Sequence, residues 1–311
     1  MQIWFCLEVA APQPITSRTV PVFVNCKAGG GHSDADVEKV RQAFADTGCG
    51  AEITLLERGQ DPREVAREAL KEGPPLLVAA GGDGTVSALA DVVRGTQTAL
   101  GVLPMGTMNH FARDLGIPLD LVEAARAIAR GRRASVDVGE VNGSSFLNNA
   151  SLGIYPKIVR ERVAQQRRFG HSKRAAMIWA TLAVLDRPSL VALRLELDGR
   201  VHECRAPFVF VGNNDYALEG FQIGTRACLD AGKLTVYTTR CSTAGGLVGL
   251  ALRAMIGQLR QADDFMEGAV RSLRVESPRR QLLVAVDGEV KVMDTPLEFR
   301  IRPRSLQVMV P

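Results

Sequence analysis

The pattern of apolar and polar positions changes its character near residue 132. Before that point, helical segments alternate with short apolar runs, namely VPVFV (20–24), AEITLL (51–56), LLVAA (76–80) and TALGVLP (98–104). Continuous apolar strands separated by helices are typical of a parallel sheet covered on both faces. Residues 19–141 are therefore predicted to form an α/β domain.

Start signals mark the helices of this half. Ser33 precedes a helical segment over 34–47, and Asp61-Pro62 places a capping side chain before a proline at the first helical position. Further helices are expected near residues 86–93, 109–115 and 119–130.

The second half has the pattern of hairpins. Asn142-Gly143 and Asp198-Gly199 lie between runs of alternating polarity, and such dipeptides favour two-residue hairpin turns. Helical insertions near 155–186 and 243–260 interrupt the strands. This half is predicted to be mostly antiparallel β-structure.

The fold class that follows is α/β plus β. A nucleotide-binding α/β domain over 19–141 precedes a larger, β-sandwich-like domain over 142–311, which we expect to bind the substrate. Residues from about 296 onward are expected to pack back on the first domain. Residues 1–18 are interpreted as a leader.

Composition narrows the class of protein further. The 311 residues are 46% hydrophobic and 23% charged, with a formal net charge of +4, as in ordinary globular proteins. This weak charge gives no reason to expect a nucleic-acid partner.

Six cysteines without a CxxC pair fit a reducing compartment. Since no apolar stretch reaches the roughly 20 residues of a spanning helix, we expect a cytoplasmic protein with peripheral membrane contact.

A glycine-rich loop is the first candidate site. It follows a buried strand and precedes a helix, and it consists of Gly81, Gly82, Asp83, Gly84 and Thr85. Free backbone N–H groups and the positive end of a helix are what a phosphate cradle requires. Asp83 could hold a metal ion or its water. Taken alone, the same residues also make an acceptable surface turn.

A second loop ends the next predicted strand. It contains Gly106-Thr107 within PMGTMNHFARDLGIP (104–118). In an open α/β sheet, ligands bind at the carboxyl ends of the strands, where these two loops meet. Gly106-Thr107 alone could be a tight turn, but the two loops together favour a nucleotide site.

Acidic residues supply the remaining candidate chemistry. Asp287 and Glu289 flank Gly288 and would project to the same side of an extended segment. A kinase needs one acceptor for the hydroxyl proton and anionic groups for magnesium. The alternative for Asp287-Gly288-Glu289 is a hairpin turn beside a solvated glutamate. Asp137 is placed near the metal with Asp83, with a strand-edge carboxylate as its alternative.

The order of motifs resembles the diacylglycerol kinase catalytic-domain family, which includes bacterial lipid kinases and sphingosine kinases. The motifs are GGDGT, PMGTMNHFARDLGIP, VDVGEVNG, FLNNASLGIYP, FVGNNDYALEGFQIG, LDAGKLTVY and VAVDGE. The resemblance runs from about residue 20 to the C-terminus. It implies an ATP- and Mg²⁺-dependent kinase whose active site lies between its two domains.

The resemblance also implies roles for individual residues. Those implied to bind the nucleotide are Asn25, Gly81, Gly82, Asp83, Gly84, Thr85, Val86, Ser87, Gly106, Thr107 and Asn109. The Asp-Gly-Glu motif of the family supplies the base for the substrate hydroxyl and matches Asp287-Gly288-Glu289. The catalytic candidates are therefore Asp287 and Glu289, together with Asp83 of the glycine loop.

Three departures from the family pattern stand out. The first-strand motif keeps Asn25 but lacks its usual proline, and Ser87-Ala88 replaces a common Asn-Glu pair. Many bacterial members hold a structural magnesium through an aspartate where this chain has Ala231. Asp230 lies one residue early and is the substitute candidate, which makes Asp83, Asp137 and Asp230 the predicted metal residues.

A basic segment suggests contact with a membrane. Between Lys157 and Arg174 seven basic residues accompany one acid, a net charge of +6, and apolar residues follow at once. Such a segment can dock on anionic lipid. The alternative is a solvated helix face packed on the β domain.

The sequence thus favours an ATP-dependent lipid kinase acting on the hydroxyl of diacylglycerol or a related lipid. One alternative is an NAD kinase, whose family has a similar Gly-Gly-Asp-Gly loop. The other is a nucleotide- or lipid-binding protein without turnover. The identity of the lipid and homo-oligomer formation are left open.

Overall fold

The computed structural model describes eight stretches of the chain. They are residues 19–25, 33–57, 59–169, 190–217, 225–226, 228–241, 243–255 and 265–311. Two compact units divide these residues. Unit 1 holds the described residues up to Val138, residues 228–231 and Arg302–Pro311, and unit 2 holds the described residues within Gly139–Arg226 and Gly232–Ile301.

Unit 1 is an α/β domain. Its elements are β1 (Thr19–Val24), α1 (Asp34–Ala45), β2 (Gly50–Leu55), α2 (Pro62–Leu70), β3 (Leu76–Gly81), α3 (Asp83–Val93), β4 (Ala99–Pro104), α4 (His110–Asp114), α5 (Leu121–Arg130) and the start of β5 (Arg132–Val141). The parallel strands have the order β2-β1-β3-β4. The end of β16 (Leu297–Val310) adds a parallel strand through Val308 and Leu100.

The sequence explains where these elements begin. Every residue of β3 and β4 is buried, as the continuous apolar runs predict. Ser33 forms a capping box with Asp36 at the start of α1, and the Asp61 side chain accepts a hydrogen bond from the Arg63 N–H group before α2.

Unit 2 is antiparallel. Its elements are β6 (Ser144–Phe146), β7 (Asn149–Gly153), α6 (Ile154–Phe169), β8 (Val191–Leu197), β9 (Arg200–Ala206), β10 (Phe208–Asn213), β11 (Leu234–Thr239), α7 (Ala244–Met255), β12 (Phe265–Val270), β13 (Ser272–Glu276), β14 (Gln281–Val286) and β15 (Glu289–Asp294). One sheet has the order β12-β11-β10-β7-β14-β15, and the first half of β16 pairs with β13, which pairs with β8 and then β9.

The core of unit 2 lies between these two layers. Leu152, Val211 and Val284 from the six-stranded sheet belong to one apolar cluster with Leu195 and Phe299 from the other strands. Side chains alternate in direction along a strand, so the neighbours of these residues lie on the outer faces. The predicted α/β plus β-sandwich fold is confirmed.

The dipeptides singled out as hairpin turns have the expected backbone. Asn142, Asp198 and the glycines after them have positive φ angles, which two-residue turns of type I′ require. Asn142 also accepts a hydrogen bond from the Glu298 N–H group at 2.7 Å, so this turn is tied to β16.

The helical insertions are only partly described. The expected insertion over 155–186 contains α6, and the one over 243–260 contains α7, while residues 170–189 and 256–264 lie outside the described residues. Within the described part of the chain, no helix is long and apolar enough to cross a membrane.

Candidate functional site

The loop after β3 has the backbone of an anion site. Gly82 is the N-cap residue of α3, with φ −85° and ψ 177°, and it has no side chain to cap the helix. The first N–H groups of an 11-residue helix therefore start next to Gly82 and Asp83. Helix N-termini of this kind favour phosphate groups.

Thr85 is fixed beneath this loop. Its side chain is 6% exposed and accepts a hydrogen bond at 3.0 Å from Nδ2 of Asn25, at the end of β1. A Cβ atom on Gly81 would lie 2.7 Å from Cβ of Thr85, so only glycine fits there. The structure thus brings together three residues that the sequence predicted to bind the nucleotide.

Val86 and Ser87, the next two residues predicted to bind the nucleotide, differ in their exposure. Val86 is buried and its N–H group bonds to Gly82 O at 3.1 Å, so its side chain belongs to the core. Ser87 is half-buried and is the fifth residue of α3.

The second loop is held by Asn109. This residue has φ 51°, its Oδ1 accepts from the Gly106 N–H group at 2.8 Å, and its Nδ2 donates to Gly106 O at 3.0 Å. Asparagine tolerates this left-handed backbone because its short side-chain amide forms hydrogen bonds to nearby backbone groups. Thr107, at the tip, is exposed.

The two loops touch. The Met105 N–H group donates to Gly81 O at 3.1 Å, and a Cβ atom on Gly106 would lie 2.5 Å from Cα of Gly82. The carboxyl ends of β3 and β4 thus form one continuous backbone surface with glycine on both sides. Such a surface allows phosphate groups to approach backbone N–H groups closely.

The predicted metal residues do not form one group. Asp137 is 1% exposed and accepts from the Arg304 N–H group at 2.8 Å. Asp230 accepts from Cys228 Sγ at 3.0 Å and lies 3.7 Å from the Arg304 guanidinium. Among the described residues, no three acids, cysteines or histidines come together as a cation site would require.

Two different conclusions follow for magnesium. Asp137 accepts from the backbone N–H group of Arg304, and Asp230 lies beside the guanidinium of the same residue, so both acids have partners within the protein. Asp83 lies beside the phosphate-type loop. It fits Mg²⁺ that arrives with a nucleotide, because Mg²⁺ usually keeps several waters and takes one or two carboxylates plus phosphates.

Asp287 and Glu289 occupy a hairpin. Val286 pairs with Glu289, so Asp287-Gly288 is the two-residue turn between β14 and β15, with φ angles of 45° and 83°. The Asp287 carboxylate accepts backbone hydrogen bonds from Leu147, Asn148 and Asn149 at 2.8, 2.9 and 3.0 Å. Glu289 is exposed.

Unit 2 contains a buried arginine that no sequence motif predicts. Arg226 is fully buried, and its guanidinium donates to Leu147 O, to Asn213 O at 3.2 Å and to Asn148 Oδ1 at 3.1 Å. The Tyr216 ring lies 5.7 Å from it. An arginine between short motifs carries no sequence signal for such a role, whereas the asparagines of FLNN and VGNND were within the motifs.

The basic segment is partly described. Lys157 and Arg160 lie on α6, and burial together with the nearby charges of Arg279 and Arg160 lowers the pKa of Lys157. The other basic side chains of the segment, including Arg167 and Arg168, lie outside the described side chains.

The fold and the loops define a class of kinase-like proteins, with a nucleotide-type α/β domain followed by an antiparallel sandwich. Residues 19–141 match the diacylglycerol kinase catalytic domain, and residues 151–310 match the YegS C-terminal NAD kinase beta sandwich-like domain. The chain therefore belongs to the YegS and diacylglycerol kinase family of lipid kinases.

Relatives extend over most of the chain. A Pseudomonas savastanoi pv. phaseolicola protein named "Probable lipid kinase YegS-like" is 30% identical over 281 residues, covering 88% of this chain and 89% of its own. A Staphylococcus aureus diacylglycerol kinase is 29% identical over 72% of this chain and 71% of its own. A crystal structure of a Bacillus anthracis diacylglycerol kinase shares the fold, with a TM-score of 0.70, 21% identity and coverage of 95% and 98%.

Proposed function

We propose that this protein is an ATP-dependent kinase that phosphorylates the hydroxyl group of diacylglycerol or a related lipid. The observation that carries the proposal is the backbone contact between the two glycine loops, at Gly82 and Gly106. Membership of a lipid kinase family supports a lipid as the acceptor.

Each loop residue has a distinct task in this proposal. The N–H groups at the start of α3 bind phosphate oxygens, Thr85 is held by Asn25 so that the loop keeps its shape, and Asn109 fixes the second loop. Preorganised donors of this kind stabilise the charge that develops on a transferring phosphoryl group. When Mg²⁺ is bound with the nucleotide, it neutralises phosphate charge, and Asp83 would hold it.

The proposed reaction is a phosphoryl transfer from ATP to a lipid hydroxyl. The lipid hydroxyl oxygen forms a bond to the γ-phosphorus, and the bond from that phosphorus to the β–γ bridging oxygen breaks. ADP leaves with the electron pair, and the hydroxyl proton passes to a carboxylate. Of the two predicted candidates for this acceptor, Asp287 and Glu289, we propose the exposed Glu289.

Peripheral contact with an anionic membrane is part of the proposal. Burial, together with the nearby charges of Arg279 and Arg160, lowers the pKa of Lys157. An anionic surface attracts a group of basic residues of this kind. We propose that this face, together with the basic residues that follow on α6, meets the lipid surface.

Phosphate transfer from labelled ATP tests the function. The purified protein is incubated with Mg²⁺, γ-labelled ATP and either vesicles containing diacylglycerol and other hydroxyl lipids or NAD, and the products are extracted. We expect label in the lipid phase. Label in NADP would instead support an NAD kinase, and nucleotide binding without transfer of label would support a binding protein.

Asp83→Asn tests the site within that assay. Asp91→Asn is the matched control, since Asp91 lies on the same helix and pairs with Arg63 and Arg94. We expect Asp83→Asn to lose at least about a hundredfold in kcat, the loss typical of removing one group that stabilises charge in the transition state. Asp91→Asn should keep its activity. Near-normal kcat in Asp83→Asn would reduce the glycine loop to a structural turn.

A further inference from the structure

The turn between β14 and β15 does more than reverse the chain. Asp287 and Gly288 both have positive φ angles, which Asn-Gly or Gly-Gly would satisfy equally well. The turn itself therefore gives no reason for a carboxylate at residue 287. The groups that the carboxylate contacts explain why residue 287 is an aspartate.

Three consecutive backbone N–H groups converge on this carboxylate. Oδ2 accepts from Leu147 at 2.8 Å, and Oδ1 accepts from Asn148 at 2.9 Å and from Asn149 at 3.0 Å. The Asp287 N–H group in turn donates to Asn149 O at 2.9 Å. Successive N–H groups form a nest for an anion, and here the anion belongs to the same chain.

The opposite side of this segment is held as well. Arg226 and Asn213 both donate to Leu147 O, and the Asn213 N–H group donates to Asn148 O at 2.9 Å. Arg226 and Asn213 are at most 1% exposed. The backbone of 147–149 is thus fixed from two sides.

One side chain of the segment is presented outward. Asn149 is half-buried at the start of β7, and its Nδ2 donates to the Tyr216 hydroxyl at the long distance of 3.5 Å. Ser151 lies on the same face of β7, 1% exposed, and its Oγ has no hydrogen-bond partner. This face therefore carries one partly accessible carboxamide, that of Asn149, and one buried hydroxyl without a partner, on a backbone fixed from two sides.

We infer that Asp287 is a positioning residue: it fixes segment 147–149 and so aims the Asn149 carboxamide at the polar head of the lipid substrate. We assign the proton of the substrate hydroxyl to another carboxylate, because backbone N–H groups already occupy three of the about four acceptor positions of Asp287. The inference rests on the proposed function for the identity of the ligand, but not for the role of Asp287 in the fold.

The same device occurs at a second hairpin of unit 2. Asp198 and Gly199 have φ angles of 46° and 85°, and the Asp198 carboxylate accepts from the N–H groups of Arg271 at 3.1 Å and Ser272 at 2.8 Å. Asp198 is thus a control: it has the same turn backbone and also accepts consecutive backbone N–H groups, but those groups belong to Arg271 and Ser272 and not to segment 147–149.

The test combines hydrogen exchange with kinetics. The variants are Asp287→Asn, Asp287→Gly, Asp198→Asn and Asn149→Ala, and Asp287→Gly keeps a positive φ angle if asparagine folds poorly. Amide exchange is measured at 147–149 and at 271–272. Initial rates are measured against lipid concentration and pH, with diacylglycerol in mixed micelles.

We expect both Asp287 variants to speed exchange at 147–149 by about tenfold or more, the effect of losing about 1.4 kcal/mol of hydrogen bonding. They should raise the lipid KM more than they lower kcat and leave the acid limb of the pH profile in place. Asn149→Ala should reproduce the KM effect. Asp198→Asn should speed exchange only at 271–272 and keep wild-type kinetics.

The opposite pattern would overturn the inference. A general base would show a loss of about 10²–10⁴ in kcat with exchange at 147–149 and lipid KM both unchanged. If the wild-type protein phosphorylates no lipid, the proposed function fails, and the exchange rates at 147–149 still decide whether Asp287 fixes that segment.

Discussion

Gly82 and Gly106 lie in backbone contact, so that a methyl group on Gly106 would force the two loops apart. A Cβ atom on Gly106 would come within 2.5 Å of Cα of Gly82 and 2.7 Å of Oδ1 of Asn109. Neither neighbour can yield easily, since one is backbone and the other is held by hydrogen bonds to Gly106 itself.

Gly106→Ala should therefore damage both stability and nucleotide binding. We expect a loss of about 1–3 kcal/mol in the free energy of unfolding, typical of overpacking. ATP affinity should fall about tenfold, because the loops separate by a few tenths of an ångström. Urea unfolding and calorimetric titration with ATP measure the two effects.

Gly249→Ala is the control for this substitution. A Cβ atom at Gly249 has nothing within 4 Å, and the residue lies inside α7. Alanine there should stabilise the protein by about 0.5–1 kcal/mol and leave ATP affinity unchanged. Equal behaviour of the two variants would show that the loops are not in close contact.

Asn109 allows backbone and side-chain contributions to be separated. Asn109→Gly keeps the φ angle of 51° but removes the amide that holds Gly106, and Asn109→Ala also strains the backbone. We expect the glycine variant to cost about 1–3 kcal/mol for the polar groups left unpaired. Alanine should cost about 1–2 kcal/mol more for the left-handed backbone. Urea unfolding of both variants gives the difference directly, and equal stabilities would exclude backbone strain at this position.

The sequence predicted the two loops because each depends on neighbouring residues. A buried strand, a glycine turn and a helix start are local features, and the structure places all three around Gly81 and Gly106. The Asn25 to Thr85 hydrogen bond joins residues 60 positions apart. The glycine loop itself suggests Thr85 as a nucleotide residue, whereas only the family resemblance suggests Asn25.

Local sequence patterns do not predict the polar contacts between residues that are far apart in the chain. Arg226 reaches Leu147 and Asn148 across 79 and 78 positions, and Arg304 reaches Asp137 across 167. No periodicity or turn signal marks these partners. Asp287 is intermediate: its turn could be predicted from Asp-Gly, but the N–H groups that surround its carboxylate could not.

The Arg304 contacts predict how the protein responds to magnesium removal. Asp137 already accepts from the backbone N–H group of Arg304, Asp230 lies beside the Arg304 guanidinium, and the described residues form no site of three acids. The melting temperature without nucleotide should therefore be the same in EDTA and in Mg²⁺. A melting temperature that rises with Mg²⁺ concentration, as linkage to a bound ion requires, would contradict this, especially if Asp137→Asn removed the effect.

Asp198 makes a prediction about pH. Burial opposes ionisation of this carboxyl, but hydrogen bonds from the N–H groups of Ser272 and Arg271 outweigh it, and the pKa of Asp198 is lowered. A folded pKa below the unfolded value of about 3.9 means that the ionised form stabilises the fold. This stabilisation is present above the unfolded pKa and is lost as the pH falls through the folded pKa.

Asp198→Asn should therefore lower the free energy of unfolding at pH 5–8 by a nearly constant amount, and the difference from wild type should shrink below about pH 4. Asparagine tolerates the positive φ angle, so the turn itself is kept. The residue is largely exposed, and solvent screening keeps the effect small. Urea unfolding of both proteins from pH 3 to 8 measures it. A difference that grows toward acid pH would mean that the carboxyl is more stable protonated, against the hydrogen bonds from Arg271 and Ser272.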